Sequence, residues 1–376
     1  MSDLQVQIRQ ELQKFCQKQI EPHIEHDDET GLFRMEIFQQ FGQLGFCGMT
    51  LPEEFGGAGL TYKDLTAALM EISKSSASYA VTISVSTMVQ SILDQYGNQK
   101  QKEKYLPALT SGEEIGSFCL SESSSGSDAA SLKTTAKKTE GGYLLNGSKL
   151  WITSGGIAKT YIVMARTGGE GHKGISAFIV RDGDKGFSYG KKEKKMGWKI
   201  SPTRELVFEN CFVPEENLLA GEGLGFKIAM SALDRGRITI GAIAAGMSDR
   251  ALEESVKYAI GRTQFNQPIF EFQGLQFMMA DMAVELECAK LLVEKAADLF
   301  DLGRNDQMLA SMAKLKATDA CMKITTDAVQ ILGGVGYTSE YPVERLMRDA
   351  KVLQIVEGTN QIQRVVIARQ LKKQFS

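Results

Sequence analysis

Apolar residues recur three or four positions apart along the first third of the chain, which is the spacing of one face of an α-helix. Two such segments carry Leu4, Ile8, Leu12, Phe15 and Cys16, and then Leu65, Leu69 and Ile72. Asn98 is a candidate N-cap for a further helix that leads to Pro107. We therefore predict a helical domain over residues 1–112.

The periodicity changes near residue 113. Short stretches rich in β-branched and aromatic residues now alternate with glycine-containing turns, as expected for β-strands. The predicted strands are Ser117–Ser121, Tyr143–Leu145, Tyr161–Ala165, Ile175–Val180 and Glu205–Phe208. Gly141-Gly142 and Asn146-Gly147 are hairpin signals. Residues 113–222 are predicted to form an antiparallel β-barrel or sandwich.

Helical spacing returns from about residue 223 onward. The longest apolar stripe consists of Leu275, Met278, Met279, Met282, Leu286, Ala289 and Val293. Such a stripe is typical of the core of a helical bundle. Residues 223–376 are therefore predicted to be a C-terminal helical bundle. The order of helices, sheet and helices indicates an α+β fold that is mainly α.

The composition narrows the classes of function. The 376 residues carry 43 Lys and Arg against 46 Asp and Glu, a net charge of −3, so nucleic acid is a poor candidate partner. The densest basic run, Lys191–Lys195, is predicted to be a solvated turn or strand edge. No run of about 18 apolar residues is present, and the first residues form neither a basic nor an apolar segment. We expect no membrane insertion, no secretion, and a cytoplasmic or matrix-like location.

The cysteines and histidines suggest no metal centre. Six cysteines have mostly apolar flanks and no Cys-x-x-Cys pair, which predicts buried, reduced thiols at Cys16, Cys47, Cys119, Cys211, Cys288 and Cys321. His23 and His26 lie beside Asp27 and Asp28, a set that can in principle hold a metal. Because no further His or Cys cluster accompanies them, we expect an exposed helix end there and no metal.

Two motifs match the signatures of other enzyme classes. Gly169–Gly174 fits the dinucleotide-binding pattern Gly-x-Gly-x-x-Gly, but a strand is predicted where that motif needs a helix. Gly186–Gly190 fits the nucleophile pattern Gly-x-Ser-x-Gly, but no histidine follows His172 to complete a triad. We exclude a Rossmann site at the first motif and an α/β-hydrolase at the second.

Two segments of the predicted sheet carry unusual chemistry. Phe118–Asp128 ends a strand in a loop rich in hydroxyl groups and glycine. Such a loop offers donors to an anion or a heterocycle, and its composition suits an ordinary surface loop equally well. Trp151–Thr153 places an indole beside a hydroxyl, which can stack on a planar cofactor or fill the core. Composition favours the core.

Three further segments lie in the C-terminal helical region. Asp234–Arg237 sets two cations in an apolar helix, where they pair with the neighbouring aspartate or bind a phosphate-bearing ligand. Gln330–Gly336 is a helix end with a glycine-rich turn. Glu357 is a lone carboxylate among apolar residues, just before a helix that Thr359 or Asn360 caps. Desolvation would make it a candidate general base, although such a residue taken alone is more often an exposed loop acid.

Taken together and in this order, these segments resemble the acyl-CoA dehydrogenases over essentially the whole chain. Arg262–Pro268, Gln273 and Gln330–Gly334 also match that family. The resemblance implies an N-terminal helical domain, a middle antiparallel β-barrel domain and a C-terminal four-helix bundle. It also implies non-covalent FAD, an acyl-CoA substrate of fatty-acid β-oxidation, a homotetramer, and electron-transferring flavoprotein as the electron acceptor.

The resemblance also assigns roles to individual residues. Glu357 would remove the α-proton of the thioester while the β-hydrogen leaves as hydride to flavin N5, giving a trans-2-enoyl-CoA. The implied cofactor-binding residues are Phe118, Cys119, Leu120, Ser121, Gly126, Ser127, Trp151, Ile152, Thr153, Arg262, Phe265, Gln273, Gln330, Ile331, Leu332, Gly333, Gly334, Thr359 and Gln361. The implied substrate-binding residues are Ser127, Asp234, Arg235, Gly236, Arg237 and Gly358.

The sequence departs from the family pattern at three places. Ser123 and Ser124 replace the usual Pro-Gly of the flavin loop, and Val356 replaces an aromatic residue before the base. Gly236 occupies the position where the isovaleryl and long-chain branches carry their base. Glu357 is therefore the candidate base, and the short- or medium-chain branch is favoured, with the short-chain (butyryl-CoA) branch the most similar.

Three alternatives share this fold. A flavin oxidase of the nitroalkane or acyl-CoA type is one, although nitroalkane oxidases use aspartate as base and Glu357 argues against them. An enoyl-CoA reductase working in the reverse direction would need the same residues, so the sequence leaves it open. A non-enzymatic acyl-CoA-binding or DNA-associated member would have lost the base or gained a basic extension, and this chain shows neither.

Overall fold

The computed structural model describes residues 2–376, and it places a sheet between two helical regions of the chain. The α-helices are α1 (Asp3–Gln19), α2 (Ile24–Thr30), α3 (Met35–Gln43), α4 (Tyr62–Ser75), α5 (Ala77–Tyr96), α6 (Gln99–Thr110), α7 (Gly225–Gly261), α8 (Gln273–Asp301), α9 (Gln307–Leu332), α10 (Val343–Leu353) and α11 (Asn360–Phe375). The strands are β1 (Gly116–Cys119), β2 (Thr135–Thr139), β3 (Gly142–Thr153), β4 (Thr160–Arg166), β5 (Ile175–Arg181), β6 (Phe187–Lys192), β7 (Thr203–Pro214), β8 (Leu218–Leu219), β9 (Thr263–Gln264) and β10 (Gln267–Pro268). The predicted α+β fold, mainly α, is confirmed.

Polar side chains define where the N-terminal helices begin. Capping boxes satisfy the first backbone N–H groups of α1, α4 and α6 through the pairs Ser2 with Gln5, Thr61 with Asp64, and Asn98 with Gln101. The predicted Asn98 cap is thus confirmed. Pro107 does not end α6, which continues to Thr110 with the proline inside its last turns.

The sheet has the order β6-β7-β3-β2-β4-β5-β8, and β1 pairs with β4. Most neighbours are antiparallel, but β1 runs parallel to β4, so the sheet is mixed rather than wholly antiparallel. The sequence missed β2 and β6 because their residues are mostly exposed and form no apolar run. Lys191 and Lys192 lie on β6 at the sheet edge, as predicted for the basic run.

One of the two predicted hairpins is correct. Gly141, with φ of +72°, turns the chain between the antiparallel strands β2 and β3. The Asn146-Gly147 prediction is wrong, because these residues form a β-bulge inside β3, where the register against β7 shifts between Leu145 and Gly147. The Asn146 side chain accepts a hydrogen bond from the backbone of Asn210 on β7, at 2.8 Å. An Asn-Gly pair suits a bulge as well as a turn, so the motif alone does not separate the two.

The central strands β4 and β5 are buried on both faces of the sheet. Tyr161 and Val163 of β4 point into the larger apolar core, which includes most of the helices, whereas Ile162 and Met164 point into a smaller core formed with α5, α6 and the start of α7. Five cysteines are buried, but Cys288 is exposed on α8, which corrects the prediction that all six are buried. In residues 2–376, no helix has both the length and the apolar character needed to span a bilayer.

Helix α7 joins the two helical regions. It packs against α4 and α5 on one side and against α8, α9 and α10 on the other. Its segment Ile238–Met247 is buried throughout. At Gly246 the approach to α4 is so close that an added Cβ would overlap the carbonyl oxygen of Met70 and lie 2.7 Å from its carbonyl carbon. The small residues of α7 thus set the spacing of the helices around the site.

Because of this contact, we expect Gly246→Ala to lower the free energy of unfolding by about 1–3 kcal/mol through overpacking. Gly261→Ala is the matched control on the same helix, since no atom lies within 4 Å of the added Cβ there. The control is expected to be neutral or to stabilise by about 0.4–1 kcal/mol. Urea denaturation measures both, and equal losses in the two variants would contradict the role of the α4–α7 contact.

Candidate active site

The turn at Glu357-Gly358 connects α10 to α11 in an unusual backbone conformation. Both residues have positive φ, +54° at Glu357 and +86° at Gly358. A non-glycine residue in that region costs about 1–3 kcal/mol, so the surroundings must enforce it. The side chain of Gln363 does so, because its Nε2 donates to the carbonyl oxygens of Glu357 at 3.1 Å and of Gly358 at 2.7 Å. Thr359 caps α11, as predicted.

Lys314 of α9 is a second clamp on this turn. Its fully buried Nζ donates to the Gly358 carbonyl at 3.0 Å and to Oδ1 of Asn360 at 2.7 Å. Burial lowers the pKa of Lys314 to about 7. The sequence analysis missed this residue, although its position beside Ala310, Ala313 and Ala317 on the buried face of α9 was a signal that the lysine points inward.

The carboxylate of Glu357 lies against the bare backbone of α7. A Cβ added at Gly236 would overlap Oε2 of Glu357 and lie 2.7 Å from its Cδ and from Cε of Met88. Oε2 is buried and has no hydrogen-bond partner in residues 2–376. Burial raises the pKa of Glu357 to about 7, while the charges of Arg237 and Lys314 act in the opposite direction. Glu357 is therefore a desolvated acid and not an exposed loop acid.

Arg237 supplies positive charge near this carboxylate. Of the two cations in its segment, Arg237 is the one that pairs with Asp234, at 2.6 Å, and both partners are buried. Asp234 is held in turn by Nε2 of Gln307 at 2.9 Å. The Nε of Arg237 has no partner in the part of the chain described, residues 2–376. Arg235 instead extends to Gln95, at 2.8 Å.

The two segments that resemble flavin-binding elements lie side by side. The Ser117 hydroxyl donates to the carbonyl of Thr153 at 2.6 Å, and the Leu150 N–H donates to the carbonyl of Ser121 at 2.9 Å. Trp151 has φ of +59° and 56% of its surface exposed, so the expectation from composition that it fills the core is wrong. The strand bulges between Lys149 and Ile152, and this bulge turns the indole outward. An exposed indole beside a hydroxyl-rich loop suits a planar, polar-edged cofactor.

The remaining predicted cofactor residues divide by exposure. Cys119, Leu120, Ile152, Ile331 and Leu332 have buried side chains, so they can offer a cofactor only backbone groups. Gly126 and Ser127 are exposed at the tip of the first loop. Thr359 and Gln361 begin α11 close to Glu357.

A third group lies on the connection between α7 and α8 and at the end of α9. Arg262 and Phe265 belong to the connection between α7 and α8, Gln273 begins α8, and all three are exposed. Gln330, Gly333 and Gly334 are exposed at the end of α9. Within residues 2–376, no hydrogen bond joins this group to Glu357 or to Trp151.

The acids and histidines near the N-terminus belong to a different region. His23 and His26 are exposed around the start of α2, whereas Asp27 and Asp28 are buried and pair with Arg34 and Arg348. In residues 2–376 no three His, Cys, Asp or Glu side chains are grouped as a metal site would require.

Three family models match consecutive parts of the chain. They are described as the acyl-CoA dehydrogenase N-terminal domain, over residues 2–113, the middle domain, over residues 117–211, and the C-terminal domain, over residues 223–372. The chain therefore belongs to the acyl-CoA dehydrogenase family. It is an enzyme of that class, a flavin-dependent oxidoreductase.

Similar proteins cover nearly the full length. An acyl-CoA dehydrogenase of Bacillus subtilis is 50% identical over 98% of this chain and 97% of its own. A short-chain-specific acyl-CoA dehydrogenase of Megasphaera elsdenii is 43% identical over 97% of each. An acryloyl-CoA reductase (NADH) of Anaerotignum propionicum is 43% identical over 98% of this chain and 94% of its own.

Solved structures show the same fold. Butyryl-CoA dehydrogenase from Megasphaera elsdenii matches with a TM-score of 0.97 at 42% identity, covering 99% of this chain and 98% of its own. A chain in a structure described as an electron transferring flavoprotein of Acidaminococcus fermentans matches with a TM-score of 0.97 at 45% identity and the same coverage. An acyl-CoA dehydrogenase of Bacillus anthracis, described as complexed with FAD, matches with a TM-score of 0.94 at 33% identity, covering 100% of this chain and 68% of its own.

The electrostatics of the site give a prediction for Arg237. Since its charge lowers the pKa of Glu357, Arg237→Gln is expected to raise that pKa above about 7. Difference infrared spectroscopy across a pH titration follows the protonated carboxyl, which is assigned by its loss in Glu357→Gln. Arg235→Gln is the control, because its guanidinium turns away to Gln95. An unchanged titration in Arg237→Gln would contradict the assigned coupling.

Proposed function

We propose that the chain is an FAD-dependent acyl-CoA dehydrogenase in which Glu357 removes the α-proton of an acyl-CoA thioester and a trans-2-enoyl-CoA is formed. The buried, unpartnered carboxylate of Glu357 carries the proposal. A carboxylate with its pKa near 7 is suited to accept a proton at neutral pH, because the ionised form is available and still basic. Its position on the bare backbone of Gly236 leaves one oxygen free for that proton.

The charges around Glu357 suit the charge that develops in the substrate. An α C–H next to a thioester is a weak acid, so its removal needs stabilisation of negative charge on the thioester oxygen. The backbone N–H of Glu357 donates to no acceptor within residues 2–376 and is a candidate donor to that oxygen. Arg237 and Lys314 add positive charge from α7 and α9. The turn and its two clamps hold base and donor together.

The residues around Trp151 fit a flavin. The exposed indole, the hydroxyls of Ser121 and Ser127, and the free backbone of Gly126 form a surface with one aromatic face and several donors. When bound, FAD supplies the hydride acceptor at N5. We assign its binding to the Phe118–Ser127 and Trp151–Thr153 segments and to Thr359 and Gln361. The related Bacillus anthracis structure described as complexed with FAD supports this assignment.

The exposed group at Arg262, Phe265, Gln273 and Gln330–Gly334 fits a shared cofactor site. These residues are exposed and form no hydrogen bond with Trp151 within residues 2–376, so we propose that a second copy in a homotetramer receives them. Electron-transferring flavoprotein is the proposed electron acceptor, which the Acidaminococcus fermentans neighbour supports. We retain the proposed domain boundaries at residues 112 and 222, which fall outside the regular elements.

A short acyl chain is the proposed substrate class. The short-chain-specific and butyryl-CoA dehydrogenases of Megasphaera elsdenii support it. The second candidate is an enoyl-CoA reductase working in the reverse direction, because a relative of 43% identity is an acryloyl-CoA reductase (NADH).

An anaerobic titration of the purified protein with butyryl-, octanoyl-, palmitoyl- and isobutyryl-CoA tests the proposal. We expect butyryl-CoA to bleach the flavin absorbance most readily. Bleaching only by a longer or branched ester would keep the chemistry and change the substrate class. A yellow protein that none of these esters bleaches, but that oxidises NADH when an enoyl-CoA is present, would favour the reductase. A colourless protein that FAD does not reconstitute would contradict the proposed function.

The role of Glu357 has its own test. Glu357→Gln keeps the size of the side chain but removes the proton acceptor, so it is expected to retain FAD and to lose at least about a hundredfold in the rate of flavin reduction. In the unmodified enzyme at low substrate, that rate should rise with pH through about 7, because the ionised carboxylate is the active form. Glu344→Gln on α10 is the control, as that acid forms its ion pair with Arg348 and none with Glu357 or its clamps within residues 2–376. Near-normal reduction in Glu357→Gln would refute the assignment.

A further inference from the structure

A buried ion pair lies beneath the proposed flavin surface and is not used in the chemistry above. The Nζ of Lys149 on β3 is 2.7 Å from Oε1 of Glu122, and the two side chains are 0% and 6% exposed. Burying two charges is costly, and apolar residues of similar size would often stabilise a fold as well or better. The specific hydrogen bonds that the pair makes are therefore a better explanation for its presence than a gain in stability.

The pair fixes backbone groups of the loop that resembles the flavin-binding signature. Lys149 Nζ donates to the carbonyl of Leu120 at 3.1 Å. The Glu122 carboxylate accepts the N–H groups of Lys133 at 2.6 Å and Thr134 at 2.9 Å, which precede β2. The backbone of Glu122 also pairs in both directions with Ser125, closing a tight turn. The ion pair thus fixes the start of this loop at Leu120 and joins the loop to the residues before β2.

The same pair lies next to the bulge that exposes Trp151. The register between β3 and β7 is lost immediately after Lys149 and is regained at Ile152. Lys149 is therefore the last regularly paired residue before the indole turns outward. The pair is bonded within the Phe118–Asp128 segment and adjoins the Trp151–Thr153 segment, and both segments resemble flavin-binding elements.

We propose that Lys149 and Glu122 are positioning residues that hold the Leu120–Gly126 loop and the Trp151 turn in the arrangement that binds the flavin. This inference rests on the proposed function. It assigns no contact with the cofactor to either side chain, since both are enclosed beneath the surface. The bonds that anchor the loop do not involve the side chains of Ser123 and Ser124, which replace the Pro-Gly of the family pattern.

The test compares single and double substitutions by their FAD affinity and by the stability of the apoprotein. Lys149→Met and Glu122→Gln each leave one buried group without its partner, so each is expected to lower the unfolding midpoint and to weaken FAD binding at least about tenfold. The double variant carries no unpaired charge. It should recover most of the apoprotein midpoint while its FAD affinity stays at least about tenfold weak. The bond from position 149 to the Leu120 carbonyl is absent, and the amide at position 122 offers one oxygen where the carboxylate accepted the N–H groups of both Lys133 and Thr134.

FAD affinity is read from the quenching of free FAD fluorescence, and the visible spectrum of the bound flavin reports its surroundings. Glu114→Gln is the control, since Glu114 precedes β1, pairs with Arg181 of β5 at 2.6 Å, and forms no side-chain hydrogen bond with either segment in residues 2–376. It should lower stability without changing FAD affinity. If the double variant recovers affinity together with stability, or if neither single variant weakens FAD binding, the positioning role is refuted. Failure of the unmodified protein to bind FAD would instead overturn the proposed function, and this inference with it.

Discussion

Oε2 of the Glu357 carboxylate is buried and receives no hydrogen bond within residues 2–376. Burying an unpartnered carboxylate oxygen costs free energy, and much of the surrounding structure offsets that cost. The acid gains a raised pKa from its burial, and it lies on a turn whose backbone is itself strained. Neither feature would persist on a mobile loop, because rotation toward solvent would relieve both. The clamps from Lys314 and Gln363 prevent that rotation by holding the carbonyls of the turn. Under the proposed function, this rigidity keeps the carboxylate in place for proton transfer.

Helix α7 connects this site to the rest of the molecule. It presents the bare backbone of Gly236 to the carboxylate, and two residues beyond it begins the buried segment that packs on both helical regions. Arg237 follows directly, with its charge balanced by Asp234. A shift of α7 would therefore change the space for the acid and its electrostatic surroundings together. Two helices can pack this closely without steric overlap only where the side chains between them are small, which explains the glycines and alanines along this segment.

The sequence predicted those parts of the structure that depend on local patterns. Helical spacing, the Asn98 and Thr359 caps and the Gly141 turn all follow from residues within a few positions of one another. The parts that it did not predict depend on partners far along the chain. Trp151 is apolar and was expected in the core, but a bulge set by the pairing of β3 with β7 turns it outward. Glu357 could be identified from the resemblance, whereas its burial depends on Gly236. The inward position of Lys314 follows from the helical spacing of α9, but its bond to the Gly358 carbonyl depends on how α9 packs against that turn.

The contact between Gly236 and Glu357 also restricts how such an enzyme can change in evolution. The resemblance places the base of other branches at position 236, so a move of the base between the two positions is an apparent route from one branch to another. Any side chain at 236 would occupy the volume of the present carboxylate. The carboxylate of Glu357 and the end of the Met88 side chain must therefore move, or Glu357 must be replaced, before an acid at 236 can fit. Under the proposed function, changes at positions 236 and 357 are thus coupled, and the order in which they occur matters.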